Sequence, residues 1–248
     1  MIRKNIPNSI TCGNLLCGCL AIVNVFDGKL EWVAYFVGIA LILDFLDGFF
    51  ARLLKVSSPI GKDLDSLADM VTFGVVPGLV MFYLIRQGVI LDQALIFKPA
   101  PNVKLLPYLA FIIPVFSAIR LAKFNNDKRQ SDSFIGLPTP ANAMLICSLP
   151  LIYNANNNLE HNNLNTFILS PYFLCFISCI MSLLLVAPLP LIALKFKNFS
   201  WVENKMRFIL LALSIIMLAV FQLMAIPLII ILYILLSIVH NIFFKKKV

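Results

Sequence analysis

The chain has 248 residues, 60% of them hydrophobic and 13% charged, with a mean hydropathy of +0.93. Soluble domains have an apolar share nearer one half, so this composition excludes one and fits an integral membrane protein. The net charge of +8 raises the possibility of nucleic acid as a partner, but the basic residues sort by membrane side instead of gathering on one solvated face, so no nucleic acid is expected.

In chain order, apolar runs of about 15 to 23 residues read as spanning helices and not as barrel strands. The spacing predicts helices near 8 to 26, 31 to 53, 65 to 86, 105 to 124, 139 to 154, 167 to 187, 206 to 220 and 223 to 243. The expected fold is an all-α polytopic transmembrane bundle of about eight helices. Pro227 interrupts the last pair, which leaves seven spans or a half-inserted segment as alternatives. The loop Gln87 to Lys104 and the Asn-rich stretch 154 to 166 read as outer connections. Nothing suggests a linker, so residues 1 to 248 are expected to form one membrane domain, with a core over 1 to 187 and additional C-terminal helices at 206 to 243.

If the amino terminus is cytoplasmic, the inner segments hold 16 of the 20 basic residues. Only Lys29, Arg86, Lys98 and Lys104 fall outside, so the positive-inside rule puts both termini in the cytoplasm and the protein in the cytoplasmic membrane. That basic inner face should attract anionic membrane lipids. The six cysteines lie in apolar stretches and read as small buried hydrophobes. His161 and His240 read as solvated or interfacial side chains, and no zinc pattern is present.

The most informative run is Leu43 to Met70, LDFLDGFFARLLKVSSPIGKDLDSLADM, where Asp44, Asp47, Asp65 and Asp69 stand among apolar residues. A charge near the bilayer centre costs roughly 2.5 to 3.5 kcal/mol, so such a cluster needs compensation. An oxygen-rich magnesium or manganese site supplies it. Asp44 and Asp47 are three apart and Asp65 and Asp69 four apart, so each pair projects from one helix face. Gly48 permits close approach of a ligand, and Ser57, Ser58, Pro59 and Gly61 read as a turn between helices two and three. Arg52 lies about 12 Å of helix rise beyond Asp44 and suits a phosphate held by metal on its other side. The predicted site sits at the cytoplasmic ends of helices two and three.

Asp44, Asp47, Gly48, Ala51, Arg52, Gly61, Asp65 and Asp69 reproduce the spacing DxxDGxxARx8GxxxDxxxD, and in this the chain resembles the CDP-alcohol phosphotransferases. Four further stretches, at residues 7 to 18, 66 to 78, 120 to 125 and 134 to 143, resemble the bacterial and archaeal type phosphatidylserine synthases of that family. The resemblance implies a membrane enzyme that moves the phosphatidyl group of CDP-diacylglycerol to the hydroxyl of L-serine and releases CMP. It implies two divalent ions, Mg2+ or Mn2+, bridged by Asp44 and Asp65, with Asp47 completing one site and Asp69 the other. Asp69 is the implied general base. Asn8, Gly48, Arg52 and Ser58 are the implied donor contacts, although Asn8 and Ser58 also read as helix-cap or turn residues.

Arg120, Lys123 and Asn125 end helix four and are the candidate acceptor contacts, with a positive-inside anchor as the alternative. The resemblance also implies a homodimer. Two other readings stay open: a sister enzyme that uses inositol or glycerol 3-phosphate, and a membrane transporter, which would need a polar pathway across the bilayer.

Overall fold

The computed structural model describes residues 2–56, 58–96, 101–126, 134–155, 167–191 and 201–243. Ser57, Lys98, Lys128, Arg129, most of the Asn-rich stretch with His161, Lys195, Lys197 and Lys245 to Lys247 lie outside the described residues.

Helix α1 (Ile2–Phe26) starts at residue 2 and not at residue 8, because Pro7 near its beginning is tolerated where few intrahelical bonds are lost. It ends where Gly28 adopts a φ of 73°. There the Lys29 N–H donates to the Asn24 oxygen at 2.9 Å and the Gly28 N–H to the Val25 oxygen at 3.1 Å, which satisfies carbonyls left open by the last turn. Helix α2 (Leu30–Leu53) runs back along α1 and ends in the same way. Here Lys55 takes the left-handed position, with a φ of 51°, and the Val56 N–H reaches the Ala51 oxygen at 3.0 Å.

Helix α3 (Pro59–Asp69) begins at a Ser58 cap, whose Oγ accepts from the Gly61 N–H at 3.0 Å, with Pro59 in the first turn. Gly61 is thus helical and not part of the turn. A π-helical turn, Met70–Val75, links α3 to α4 (Val76–Ile96). The expected helix at 65 to 86 is therefore longer at both ends, and Pro59 to Leu91 makes a single apolar span. The expected loop from Gln87 to Lys104 is corrected as well: it is helical to Ile96 and enters a 3-10 helix at Pro101. Buried Val89 shows why, since this extra turn packs against the bundle instead of facing water.

The 3-10 helix Pro101–Phe111 continues into α5 (Ile112–Asn126). Helices α6 (Thr139–Ala155) and α7 (Pro171–Val186) follow. Helix α8 (Trp201–Phe221) starts at residue 201, earlier than the expected 206, and α9 (Ala225–Phe243) closes the chain. Pro227 falls in the first turn of α9, where a missing N–H does no harm, so the interruption sits at the 3-10 turn Gln222–Met224. The non-helical pairing among the described residues is β1 (Phe134–Ile135) against β2 (Pro190–Leu191), antiparallel and two residues long.

The architecture is a polytopic helical bundle, and among the described residues five helices are long and apolar enough to cross a membrane. α1 packs on α2 and α3, α2 on α6, α5 on α7, and α9 on α6 and α8. Phe73, Met81, Leu84, Ile113, Ile146 and Leu174 form the centre of the core. The surface is inverted relative to a soluble protein: Leu16, Ile42, Phe45 and Phe26 are exposed, whereas Thr11, Asn14, Asp47, Arg120 and Asn142 are buried. Lipid is the solvent in which that pattern is stable. All six cysteines are free; Cys147 and Cys175 are buried as expected, but Cys12 and Cys19 lie exposed on α1.

Candidate active site

The two tight turns at Gly28 and Lys55 fold α1, α2 and α3 back on one another, and this brings the acidic run to one end of the bundle. Oxygens of Asp44 and Asp47 on α2 and of Asp65 on α3 all lie within 4.8 Å of one another. Asp47 is only 5% exposed, and Thr11 Oγ1 of α1 donates to its Oδ2 at 2.6 Å. Among the described residues no lysine or arginine forms an ion pair with any of the three. Three carboxylates converging on one point without a basic partner repel each other, and an all-oxygen donor set of this kind fits a hard divalent cation.

Asp69 lies one helical turn beyond Asp65, outside the tight group but within electrostatic reach of Asp44, Asp65 and Asp47. It accepts a long hydrogen bond, 3.3 Å, from Asn14 Nδ2 of α1, while Asn14 Oδ1 is buried with no partner. Asp63, two residues before Asp65, is exposed on the far side of α3 and takes no part.

Beside the carboxylates opens a pocket of about 260 Å³ whose lining includes Asn8, Thr11, Asp47, Gly48, Ser58, Gly61, Lys62 and Asp65. A Cβ on Gly48 would meet nothing within 4 Å, so this glycine faces open space. Gly61 has the opposite role. A Cβ there would come within 2.9 Å of Asn8 Oδ1 and 3.0 Å of Ser58 Oγ, so its absence lets α1 approach the start of α3. Asn8 lies inside α1 and is not its cap, whereas Ser58 both caps α3 and lines the pocket. Arg52 is exposed and absent from the lining, and Lys62 stands in the wall instead.

The three acceptor candidates separate. Arg120 is 7% exposed, donates from Nη1 to Thr139 Oγ1 at 3.3 Å and is within electrostatic reach of Asp69. Lys123 is exposed. Asn125 is engaged in holding α5 to α3: its Nδ2 donates to Ser66 Oγ at 2.7 Å, and its backbone oxygen accepts from Lys62 Nζ at 2.9 Å.

A family model described as CDP-alcohol phosphatidyltransferase matches residues 4–187, about three quarters of the chain. The chain belongs to this family. Among its relatives, a CDP-diacylglycerol–serine O-phosphatidyltransferase of Bacillus subtilis is 34% identical over 149 residues, covering 60% of this chain and 77% of the relative. Proteins of the same description from Helicobacter pylori and Methanocaldococcus jannaschii are 33% and 32% identical. These alignments cover 65% and 62% of this chain and only 64% and 65% of the relatives' own length. The membership makes the chain a membrane-embedded transferase and accounts for a carboxylate cluster beside an open pocket.

The sequence reading does not single out Thr11, Asn14 and Thr139 as site residues, and it counts Lys62 only among the inner basic residues near the acids. Asn8, Thr11 and Asn14 recur every three residues in an apolar helix, a polar stripe that could have marked the inner face of α1. Thr139 falls in the stretch 134 to 143, but its pairing with Arg120 comes from the approach of a different helix.

Proposed function

We propose that this protein transfers the phosphatidyl group of CDP-diacylglycerol to the hydroxyl of L-serine and releases CMP. The observation that carries the reading is the convergence of Asp44, Asp47 and Asp65 within 4.8 Å, with Asp69 one turn away, beside a pocket of about 260 Å³. The printed names of the bacterial and archaeal relatives support serine as the acceptor.

Asp44, Asp47, Asp65 and Asp69 would hold two divalent ions, Mg2+ or Mn2+, which when bound neutralise the pyrophosphate and the charge that develops on departing CMP. Asn8, Gly48, Ser58 and Lys62 surround the cytidylyl end of the donor, and Arg52 draws its phosphates toward the site from the exposed end of α2. Exposed Ile42, Phe45 and Phe49 on α2 let the donor's acyl chains stay in lipid while its headgroup enters. The serine oxygen bonds to the phosphatidyl phosphorus as the bond from that phosphorus to the CMP oxygen breaks, and CMP takes the electron pair. Asp69 takes the hydroxyl proton. Thr11 and Asn14 hold Asp47 and Asp69 in place, so geometry is set before the substrates meet. Arg120 receives the serine carboxylate.

The whole chain acts as one membrane domain, with both termini and the site at the cytoplasmic face of the cytoplasmic membrane, and it works as a homodimer. The test uses purified protein in detergent with CDP-diacylglycerol and a divalent ion. CMP release with serine, and not with inositol or glycerol 3-phosphate, is expected. Release with one of the other alcohols alone would reassign the acceptor, and no release with any would end the reading.

A further inference from the structure

The positive-inside pattern sets Lys29, Arg86, Lys98 and Lys104 apart from the other basic residues, and the active site uses none of them. Lys98 lies outside the described residues, and Lys29 is paired with Asp27 at 3.3 Å. Arg86 and Lys104 line one pocket of about 480 Å³, whose walls hold no acidic residue. Among the described residues neither of them forms an ion pair.

The pocket opens where α4 packs against the 3-10 helix Pro101–Phe111. There the Phe82 ring meets the Tyr108 ring edge-on, with centroids 5.4 Å apart, and stacks on Phe111 at 5.3 Å. Arg86 follows Phe82 by one turn, whereas Lys104 precedes Tyr108 by four residues on a segment that runs back along α4. Both cations therefore lie on the same side of the aromatic contact. The apolar span from Pro59 to Leu91 fixes which side that is. Arg86 stands 21 residues after Asp65 on this span, about 31 Å of helix rise, and the hydrocarbon layer of a bilayer is about 30 Å thick. With the acids at one membrane face, Arg86 and Lys104 stand at the other.

Two cations in one groove repel each other and attract an anion, the more strongly where lipid excludes water. The rest of the wall suits hydrocarbon: Phe82, Pro107 and exposed Ile90 are apolar. Tyr108, 59% exposed, is the amphipathic ring type found at headgroup depth. A free phosphate matches the cations alone, whereas a phospholipid matches the cations and the apolar wall together.

We infer that this pocket binds an anionic phospholipid of the leaflet opposite the aspartates, its phosphate between Arg86 and Lys104 and its acyl chains along Phe82 and Tyr108. The lipid bridges α4 and the 3-10 helix and braces the far end of the span that carries Asp65 and Asp69. The site is separate from the donor pocket and independent of which alcohol is the acceptor. For the test, the full chain is freed of lipid in a neutral detergent. It is titrated with phosphatidylglycerol, with phosphatidylcholine of the same acyl chains and with inorganic phosphate, and bound lipid is read by native mass spectrometry. Phosphatidylglycerol should bind in preference to the other two and raise the thermal midpoint. Arg86→Gln and Lys104→Gln should each weaken its binding about five-fold, and together about thirty-fold, the effect of a basic side chain at an anionic lipid surface. The lipid-free midpoint should stay that of wild type, because both side chains are exposed. Lys29→Gln removes the same charge elsewhere and should leave the affinity unchanged. Equal binding of phosphatidylcholine, equal binding of inorganic phosphate, an unweakened double variant, a lowered lipid-free midpoint or an equal loss in Lys29→Gln would each overturn the inference. A double variant that loses a dimer instead of a lipid would overturn it too, and would give the surface to a second copy of the chain.

Discussion

Thr11 has one hydroxyl proton and two acceptors in range, Asp47 Oδ2 at 2.6 Å and the Pro7 carbonyl at 3.0 Å. A charged acceptor outcompetes a neutral one, so the proton goes to the carboxylate. Thr11→Val keeps the shape and removes this bond. A hydrogen bond to a charged group contributes about 1.5 to 3 kcal/mol, so divalent-ion affinity should fall about ten- to a hundred-fold, read from the metal dependence of CMP release. Unchanged metal dependence would show that Asp47 needs no support from α1. Asp69→Asn keeps an acceptor for Asn14 but removes the proposed base, and kcat should drop by about 10²- to 10⁴-fold with the melting point intact. Arg120→Lys leaves the charge and loses the planar fork, so the serine KM should rise much more than the donor KM. Equal changes in both would remove Arg120 from the acceptor site. At this scale the aspartates were legible because acids in apolar sequence demand a reason. Their supporting partners were less so: Thr11 and Asn14 form a polar stripe with Asn8, but which acid each one meets is settled only when α2 and α3 come beside them.

The turn after α2 decides where the two acidic pairs meet. A left-handed position of this kind favours glycine, yet Lys55 occupies it and is exposed. Lys55→Gly should therefore stabilise the fold by about 0.5 to 1 kcal/mol, the relief of side-chain strain less the glycine's extra chain entropy, seen as a higher thermal midpoint in detergent. A lower midpoint would mean that the lysine side chain contributes something the turn geometry does not contain. The π-helical turn Met70–Val75 is the other element-scale device. It follows Asp69 directly, and Thr72 within it donates to the Asn14 backbone oxygen at 3.2 Å, tying α1 to the end of the acidic helix. The apolar pattern from 65 to 86 predicted one continuous helix, because an added residue in a single turn leaves hydrophobic content almost unchanged. The helix start at Pro59 is a local signal, a Ser58 cap followed by proline, that reads equally well as a turn, whereas the extension past Arg86 reflects the burial of Val89.

For the molecule as a whole, three acids converge with no basic ion-pair partner among the described residues, so on the proposed reading a bound cation stabilises the bundle. Magnesium or manganese at about a hundred times its dissociation constant should raise stability by about 2.7 kcal/mol, measured as an upward melting shift that a chelator reverses. Asp47→Asn should shrink this shift. A melting point indifferent to metal would count against the site. The bundle's inverted surface, apolar outside and polar within, was legible in composition and in the run lengths, which fixed membrane embedding and the approximate place of each helix. The six cysteines show the limit of such reasoning: apolar surroundings in sequence do not separate a core position such as Cys147 from a lipid-facing one such as Cys19.

By itself the sequence determined that the chain lives in lipid and which family the spacing of Asp44, Asp47, Asp65 and Asp69 marks, because charge in an apolar medium and fixed helical spacing are local properties. Only the tertiary structure decided that Lys62 and not Arg52 lines the pocket, that Asn125 braces α3, and that Arg120 is buried against Thr139 of α6. Those facts depend on which helix faces meet across long stretches of chain, and packing energy, spread over many small contacts, leaves no signature at any one position.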